Sequence, residues 1–266
     1  DPDRGFGFKL TAEMILGAVM IFVVAKLVAD QFGFSGFVMG MLVLYVLTAV
    51  GIFWLPKKLQ LAVNESKLQD SSKPFNWQAL LAGIALFIFF GAYTAVWGFA
   101  GHVGMDHGLT ESQISTVITF ALLSGLAGAM FCAWLGQSQG HLKPMMFGMA
   151  LMVLSFLTLV YGEGFLLFSL AICFINGLLQ FVVAYQMGLL TLLDRNGRYT
   201  ALIAFILASS GALSGDVMGS LIESQGLASA ILAATAAVIV AMALTAFVLL
   251  ARAHLESTSR EISAAS

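Results

Sequence analysis

Long apolar stretches separated by short polar connections dominate the pattern of this sequence. A helix needs about 20 apolar residues to cross a hydrocarbon layer of about 30 Å. Eight stretches come close to or exceed that length, and we number them as spans one to eight. They are Leu10 to Ala29, Phe34 to Leu55, Trp77 to Gly101, Ile114 to Leu135, Pro144 to Tyr161, Phe165 to Leu193, Tyr199 to Ile222 and Leu227 to Ala251.

Charged residues are nearly absent from these spans. The chain has 12 basic and 14 acidic residues, and of these only Glu13, Lys26 and Asp216 lie inside a span. Helices at the surface of a soluble protein would carry a polar stripe that these lack. Since lipid offers no partner for backbone polar groups outside helices or closed barrels, the sequence predicts an all-α, polytopic membrane protein with eight transmembrane helices.

The connections differ in charge on the two sides of the membrane. If each span crosses once, 11 of the 12 basic residues fall on one side, whereas the other side carries acidic residues with His102 and His107. Cytoplasmic loops carry an excess of Lys and Arg. Both termini are therefore predicted to be cytoplasmic.

Composition narrows the classes of function. Only 10% of the residues are charged and the net charge is −2, so a nucleic-acid partner is not expected. The sequence has no Cys or His group with metal-ligand spacing and no phosphate-binding G-x-x-x-x-G-K-[ST] loop. We therefore expect no metal, no other cofactor and no use of ATP. Cys132 and Cys173 lie within spans four and six and are expected to be structural thiols.

Two loops carry a resemblance to a known family. Asp194-Arg195-Asn196-Gly197-Arg198 matches the D-R-x-G-R core of a cytoplasmic loop signature of the major facilitator superfamily, which the family usually carries after helix two or eight. The loop from Gly136 to Lys143 is similar to a degraded copy, in which Gly140 and His141 replace the usual acid and arginine. The chain therefore resembles that superfamily. Asp1 to Gly7 and Ala95 to Phe99 also look like loops and helix seven of uncharacterised bacterial members.

The resemblance implies an organisation for the whole chain. Members have twelve helices in two six-helix halves, and this chain would correspond to helices five to twelve, without the first four. Residues 1–55 would be the last two helices of the amino-terminal bundle and 56–76 a cytoplasmic linker. Residues 77–251 would be the complete carboxy-terminal bundle and 252–266 a cytoplasmic tail.

The resemblance also implies a function. We expect secondary active transport of a small organic solute across a bacterial inner (plasma) membrane, by alternating access between two bundles. The partners would be the solute, the lipid bilayer and, if transport is coupled to them, protons. The alternative is a receptor or scaffold on the same fold that does not transport.

Acidic residues within spans are candidates for proton coupling, because a charge at the bilayer centre costs about 2.5 to 3.5 kcal/mol on insertion scales. Asp216 lies deep in span seven, among Gly211, Gly215 and Gly219, whose spacing predicts a groove that another helix can approach closely. The alternative is a carboxyl that caps a neighbouring helix or bonds a serine. Glu13 is the second candidate, with an interfacial pairing to Lys9 as its alternative.

Two polar faces are candidates for the solute path. Tyr93 and Trp97 are four residues apart and share one helical face, and Asn176 and Gln180 share another. By resemblance they lie on helices seven and ten, which line the central path. The alternative is hydrogen bonding between helices, worth about 0.6 kcal/mol per contact.

A charged latch is expected at the cytoplasmic side. Asp194, Arg195 and Arg198 are its candidates, and their pairing would differ between inward-facing and outward-facing states. The alternative is ordinary positive-inside topology with a turn at Asn196-Gly197.

One short pattern raises an enzyme hypothesis. Gly33-Phe34-Ser35-Gly36 fits the G-x-S-G pattern of intramembrane serine proteases, with Ser35 as the nucleophile and His102 or His107 as the base. Ser35 falls in a turn between spans, however, and both histidines lie in a loop. The sequence therefore predicts that the protein is not an enzyme.

Overall fold

The computed structural model describes residues 2–24, 76–138, 140–194 and 199–265, with single positions 36, 39, 40, 42, 43, 46 and 197. Over these residues the regular elements are all helical, and six helices are long and apolar enough to cross a membrane. The chain is thus a multi-pass membrane protein, and predicted spans three to eight are confirmed. Span two and the linker 56–75 lie largely or wholly outside the described residues.

The chain divides into two compact units, residues 1–12 with 76–266, and residues 13–75. The helices of the described chain are α1 (Pro2–Val24), α2 (Trp77–Gly98), α3 (Ala100–Asp106), α4 (Glu111–Leu135), α5 (Leu142–Tyr161), α6 (Gly164–Leu193), α7 (Ile203–Gln225) and α8 (Leu227–Ala265). A 3-10 turn, Thr200–Leu202, precedes α7. The six candidate spans are α2 and α4 to α8.

Polar caps fix where α2 and α4 begin. The Asn76 side chain accepts hydrogen bonds from the backbone N–H groups of Gln78 and Ala79, which the first turn of α2 leaves without partners. Thr110 and Gln113 form a capping box at the start of α4. The Asn76 amide also donates to the Leu193 carbonyl at 2.7 Å, so one residue ties the start of α2 to the end of α6.

The start of α1 is helical, so the expectation of a loop from Asp1 to Gly7 is wrong over the described residues. Pro2 occupies the first helical position, where proline is favoured because its missing N–H has no helical partner in any case. Asp3, Gly7 and Leu10 are buried. A Cβ placed on Gly7 would lie 2.7 Å from the Ala133 backbone nitrogen, so α1 meets α4 at close range.

The six spans pack in an approximate two-fold pattern. α4 packs on α6 as α7 packs on α2, and α5 packs on α6 as α8 packs on α2. We call α4, α5 and α6 one triplet and α7, α8 and α2 the other. The pairs α2–α6 and α5–α8 form the contacts between the triplets, and the pattern is approximate because α7 also packs on α8. Since each triplet has three spans, the second runs opposite to the first. The helices α2 and α6, on which the other spans of their triplets pack, contact each other in antiparallel orientation.

The two ends of the bundle differ in charge. One end, which we call the basic end, holds Asn76, His141, Lys143 and Leu193, with the first turn of α1. The other, the acidic end, holds Asp106, Glu111, Glu163 and Glu223. This separation agrees with the charge pattern of the sequence.

Glycines bring α4 and α6 together. A Cβ on Gly128 would overlap the backbone carbonyl of Gly177, and the Ser124 hydroxyl donates to the Cys173 carbonyl at 2.6 Å. Small residues at such positions let the backbones of membrane helices approach closely. This contact was not predicted from the sequence.

The glycines of α7 do not make the close approach that their spacing predicts. A Cβ on Gly215 would meet nothing within 4 Å, and at Gly211 and Gly219 it would meet only side chains at ordinary van der Waals distance. Within the described residues, therefore, no helix fills the expected groove.

Candidate functional site

A buried polar pair lies at the contact between α2 and α6. The Tyr93 hydroxyl donates to Asn176 Oδ1 at 2.8 Å, and Asn176 Nδ2 donates to the Ala121 carbonyl of α4 at 2.6 Å. Tyr93 is 6% exposed and Asn176 is 3% exposed. The structure thus brings together two candidates that the sequence placed on separate helical faces.

The other two path candidates lie beside this pair. The Trp97 ring stacks on Tyr93, with centroids 5.9 Å apart and planes 17° apart. Gln180 is buried one turn along α6 from Asn176. We call Tyr93, Trp97, Asn176 and Gln180 the central cluster.

Gly125 of α4 makes room for the central cluster, and sequence reasoning missed it. A Cβ at this position would lie 2.6 Å from Asn176 Nδ2 and 3.6 Å from Gln180 Cγ. The cluster offers two amides, a phenol and an indole, and none of its members is ionised at neutral pH. Such a set can hold an uncharged solute by hydrogen bonds and ring stacking.

Hydroxyl groups hold α7 against α2. The Thr94 and Ser214 hydroxyls lie 2.8 Å apart, and the Ser210 hydroxyl donates to the Phe87 carbonyl at 2.5 Å. α7 is otherwise the span with the smallest buried share. Most of its surface is therefore available to lipid, water or another protein segment.

Asp216 lies midway along α7 and is exposed. It makes no hydrogen bond or ion pair within the described part of the chain, so the alternative of a carboxyl bonded to a serine or a helix end finds no support there. Ser209, Ser220 and Glu223 share its face, at spacings of seven, four and seven residues from it. Asp216 therefore belongs to a polar stripe and stands apart from the central cluster.

The structure separates the remaining charged candidates. Glu13 is exposed on α1. Asp194 Oδ2 accepts the Thr200 backbone N–H at 2.7 Å, so this carboxylate organises the turn before α7. Arg195 and Arg198 lie outside the described residues, and the latch they would form with Asp194 stays a prediction.

A second buried contact, at the basic end, was not found from the sequence. His141 Nε2 lies 2.9 Å from Asp3 Oδ2 and 3.0 Å from Oδ1, and the Asp3 side chain is fully buried. A Cβ on Gly188 of α6 would overlap the Asp3 carboxyl group, so only glycine leaves room for it. The one available signal was His141 itself, in the degraded loop signature.

Two further side chains, Cys132 and Tyr185, complete the environment of the Asp3–His141 contact. The Cys132 thiol donates weakly to the Asp3 carbonyl at 3.8 Å, and the Tyr185 hydroxyl donates to the Gly136 carbonyl at 2.6 Å. The His141 ring also packs edge-on against Tyr185. Cys132 is free and fully buried, so its reactivity reports whether α1 stays in place.

The histidines proposed as bases have other surroundings. His107 Nε2 lies 2.9 Å from the Leu159 carbonyl and its ring packs on Phe168, beside a cavity of about 470 Å³ at the acidic end. His102 is exposed and packs on Phe99. Ser35, the nucleophile of the protease hypothesis, lies outside the described residues.

Comparison with known proteins does not assign this chain to a family. A role for the central cluster and for the Asp3–His141 contact therefore rests on their geometry alone. Within the described residues, no group of three His, Cys, Asp or Glu side chains could hold a metal ion. The sequence matches no model of a known protein family, and no curated protein matches it.

Proposed function

We propose that this chain is part of a secondary active transporter that moves a small organic solute across a membrane by alternating access. The observation that carries the proposal is the central cluster, which is buried where the central helices of two inverted triplets meet. In transporters built from inverted repeats, solute sites lie near the bilayer midplane at the repeat interface.

The central cluster suits an uncharged or amphipathic solute. A hydroxyl or amide group of the solute can replace the hydrogen bond between Tyr93 and Asn176, because each partner can both donate and accept. The Trp97 ring, which is half-buried, offers a face for an apolar or aromatic part of the solute.

Asp216 is the group that we assign to proton coupling. An exposed carboxylate midway along a span would be costly against lipid, by about 2.5 to 3.5 kcal/mol. The stripe that it shares with Ser209, Ser220 and Glu223 is therefore expected to face water or protein. An acid in such a place can take up and release a proton as its surroundings change between states.

The contacts at the basic end support a closed state on that side. Opening this end would break the Asp3–His141 pair and the Asn76–Leu193 hydrogen bond. Alternating access needs such contacts, because they must differ between the two states for a solute to shift the equilibrium.

The wider plan of the major facilitator superfamily belongs to the same proposal. We infer eight spans corresponding to helices five to twelve, with the basic end and both termini on the cytoplasmic side of a bacterial inner membrane. The packing of α2 and α4 to α8 as two triplets and the 11 basic residues on one side support it.

Solute exchange by the full-length product in proteoliposomes tests the proposal. The vesicles are bathed in a mixture of small metabolites, and their contents are identified by mass spectrometry after washing. We expect at least one solute to enter faster than into protein-free vesicles. Asn176→Leu should lower that rate by about tenfold or more, since it leaves Tyr93 and the Ala121 carbonyl unpaired.

Thr119→Val is the matched control for this experiment. Thr119 is exposed on α4 and its hydroxyl bonds only the Ser115 carbonyl of its own helix, so its loss should leave exchange unchanged. Exchange that persists in folded Asn176→Leu would remove the central cluster from the path. No exchange of any solute would favour the receptor or scaffold alternative.

Replacing Asp216 by asparagine is expected to abolish the pH dependence of exchange and to leave folding intact. The exposed carboxylate makes no contact that the fold depends on within the described residues, and asparagine keeps its size while removing the titration. Exchange rates at several external pH values and the melting temperature in detergent measure the two effects. A pH profile unchanged from the parent protein would exclude Asp216 from coupling.

A further inference from the structure

Gln186 of α6 is buried without a hydrogen-bond partner. Its side chain is 3% exposed, and both its amide nitrogen and its amide oxygen lack a partner. Almost all buried polar groups in proteins are hydrogen-bonded, so a whole amide without partners needs an explanation.

The register of α2 against α6 fixes the level of Gln186 in the bundle. Two hydrogen bonds link these helices, Tyr93 to Asn176 and Asn76 to Leu193. Since both helices advance 17 residues between these bonds, in opposite directions, the antiparallel register is defined along the whole contact. Gln186, seven residues before Leu193, lies level with Gly83, seven residues after Asn76.

The segment of α2 that lies level with Gln186 has no polar side chain to pair with the amide. From Ala79 to Gly91 the helix has only apolar side chains and glycine. The polar side chains nearest in register belong to Gln78 at one end and to Tyr93 and Thr94 at the other. At the level of Gln186, α2 therefore offers no side chain that could bond the amide.

We propose that Gln186 is a second solute-binding subsite, between the central cluster and the basic end. The proposal rests on the proposed function. A primary amide presents one acceptor and a two-proton donor, so it selects an uncharged solute that carries hydroxyl or amide groups. The subsite is occupied when the α2–α6 contact opens toward the basic end, and in the closed state described here the amide is left unpaired.

Gln186→Leu and Gln180→Leu form a matched pair for the test. Gln180 interacts with another residue, so its loss should lower the melting temperature of the full-length protein in detergent. Gln186→Leu removes an unpaired amide and should raise it by a few degrees. In the proteoliposome assay, Gln186→Leu should slow entry of the exchanged solute by about three- to tenfold, the value of one hydrogen bond.

Access from water is measured independently of transport. In a Cys132→Ala, Cys173→Ala background, Gln186→Cys should react with a small cationic methanethiosulfonate. Ala184→Cys, fully buried on the opposite face of α6, should not react. Equal reactivity at the two positions, or a lower melting temperature for Gln186→Leu, would overturn the subsite.

The assay also separates the two proposals. A parent protein that exchanges no solute rejects the proposed function and the subsite with it. Exchange in the parent that is unaffected by Gln186→Leu rejects the subsite alone.

Discussion

Gly128→Leu is expected to prevent the bundle from folding. Even the first side-chain carbon of the new residue would overlap the Gly177 carbonyl, so α4 and α6 would have to separate along their contact. Overpacking a core costs about 1 to 3 kcal/mol, occasionally more, and we expect the upper end because backbone rather than a flexible side chain is in the way. The yield of monodisperse protein in detergent and its melting temperature measure the effect.

Gly215→Leu is the control for that experiment. It makes the same change in the interior of another span, where a Cβ would meet nothing within 4 Å. We expect normal yield and a melting temperature close to that of the parent. A stable Gly128→Leu protein would show that α4 and α6 are not in close contact at these glycines.

His141→Ala is expected to raise the rate at which Cys132 reacts with a maleimide by about a hundredfold. The change leaves the Asp3 carboxylate buried without its partner, which typically costs 3 to 5 kcal/mol, or about two to four powers of ten in an equilibrium. Releasing the first turns of α1 returns Asp3 to water and uncovers Cys132. The measurement is made in membranes on a Cys173→Ala background, which leaves one cysteine.

Lys143→Ala serves as the control for His141→Ala. Lys143 is exposed in the first turn of α5, two residues beyond His141, and should not change the labelling of Cys132. Equal labelling of the parent and of His141→Ala would mean that the Asp3 contact does not hold α1 against the bundle.

The spans were predictable from the sequence because apolar length is a local property. Apolar length and the near-absence of charge over about 20 residues were enough to place spans three to eight. The shared face of Tyr93 and Trp97 was equally local, since it follows from four-residue spacing. The hydrogen bond between Tyr93 and Asn176 was not, because it depends on the register of two helices separated by 82 intervening residues.

Glycine spacing was an ambiguous signal for helix contact. The regular Gly211, Gly215 and Gly219 of α7 make no tight approach in the described structure, whereas Gly128 and Gly177, alone at their levels, do. Glycine spacing shows where one helix carries no side chain, but the residue that faces it on the other helix decides whether the two backbones can come close. The buried Asp3 was missed for a related reason, since its partner His141 lies 138 positions away.

Asn76 joins α2 and α6 at the basic end of the bundle. Its carboxamide oxygen caps the start of α2 and its carboxamide nitrogen donates to the last residue of α6, so the two helices on which the triplets pack are fastened at one point. A force applied to the chain at Asn76 is expected to act on both triplets, because this residue is bonded to α2 and to α6. We therefore expect a displacement of the start of α2 to be transmitted through the Asn76 side chain to the end of α6.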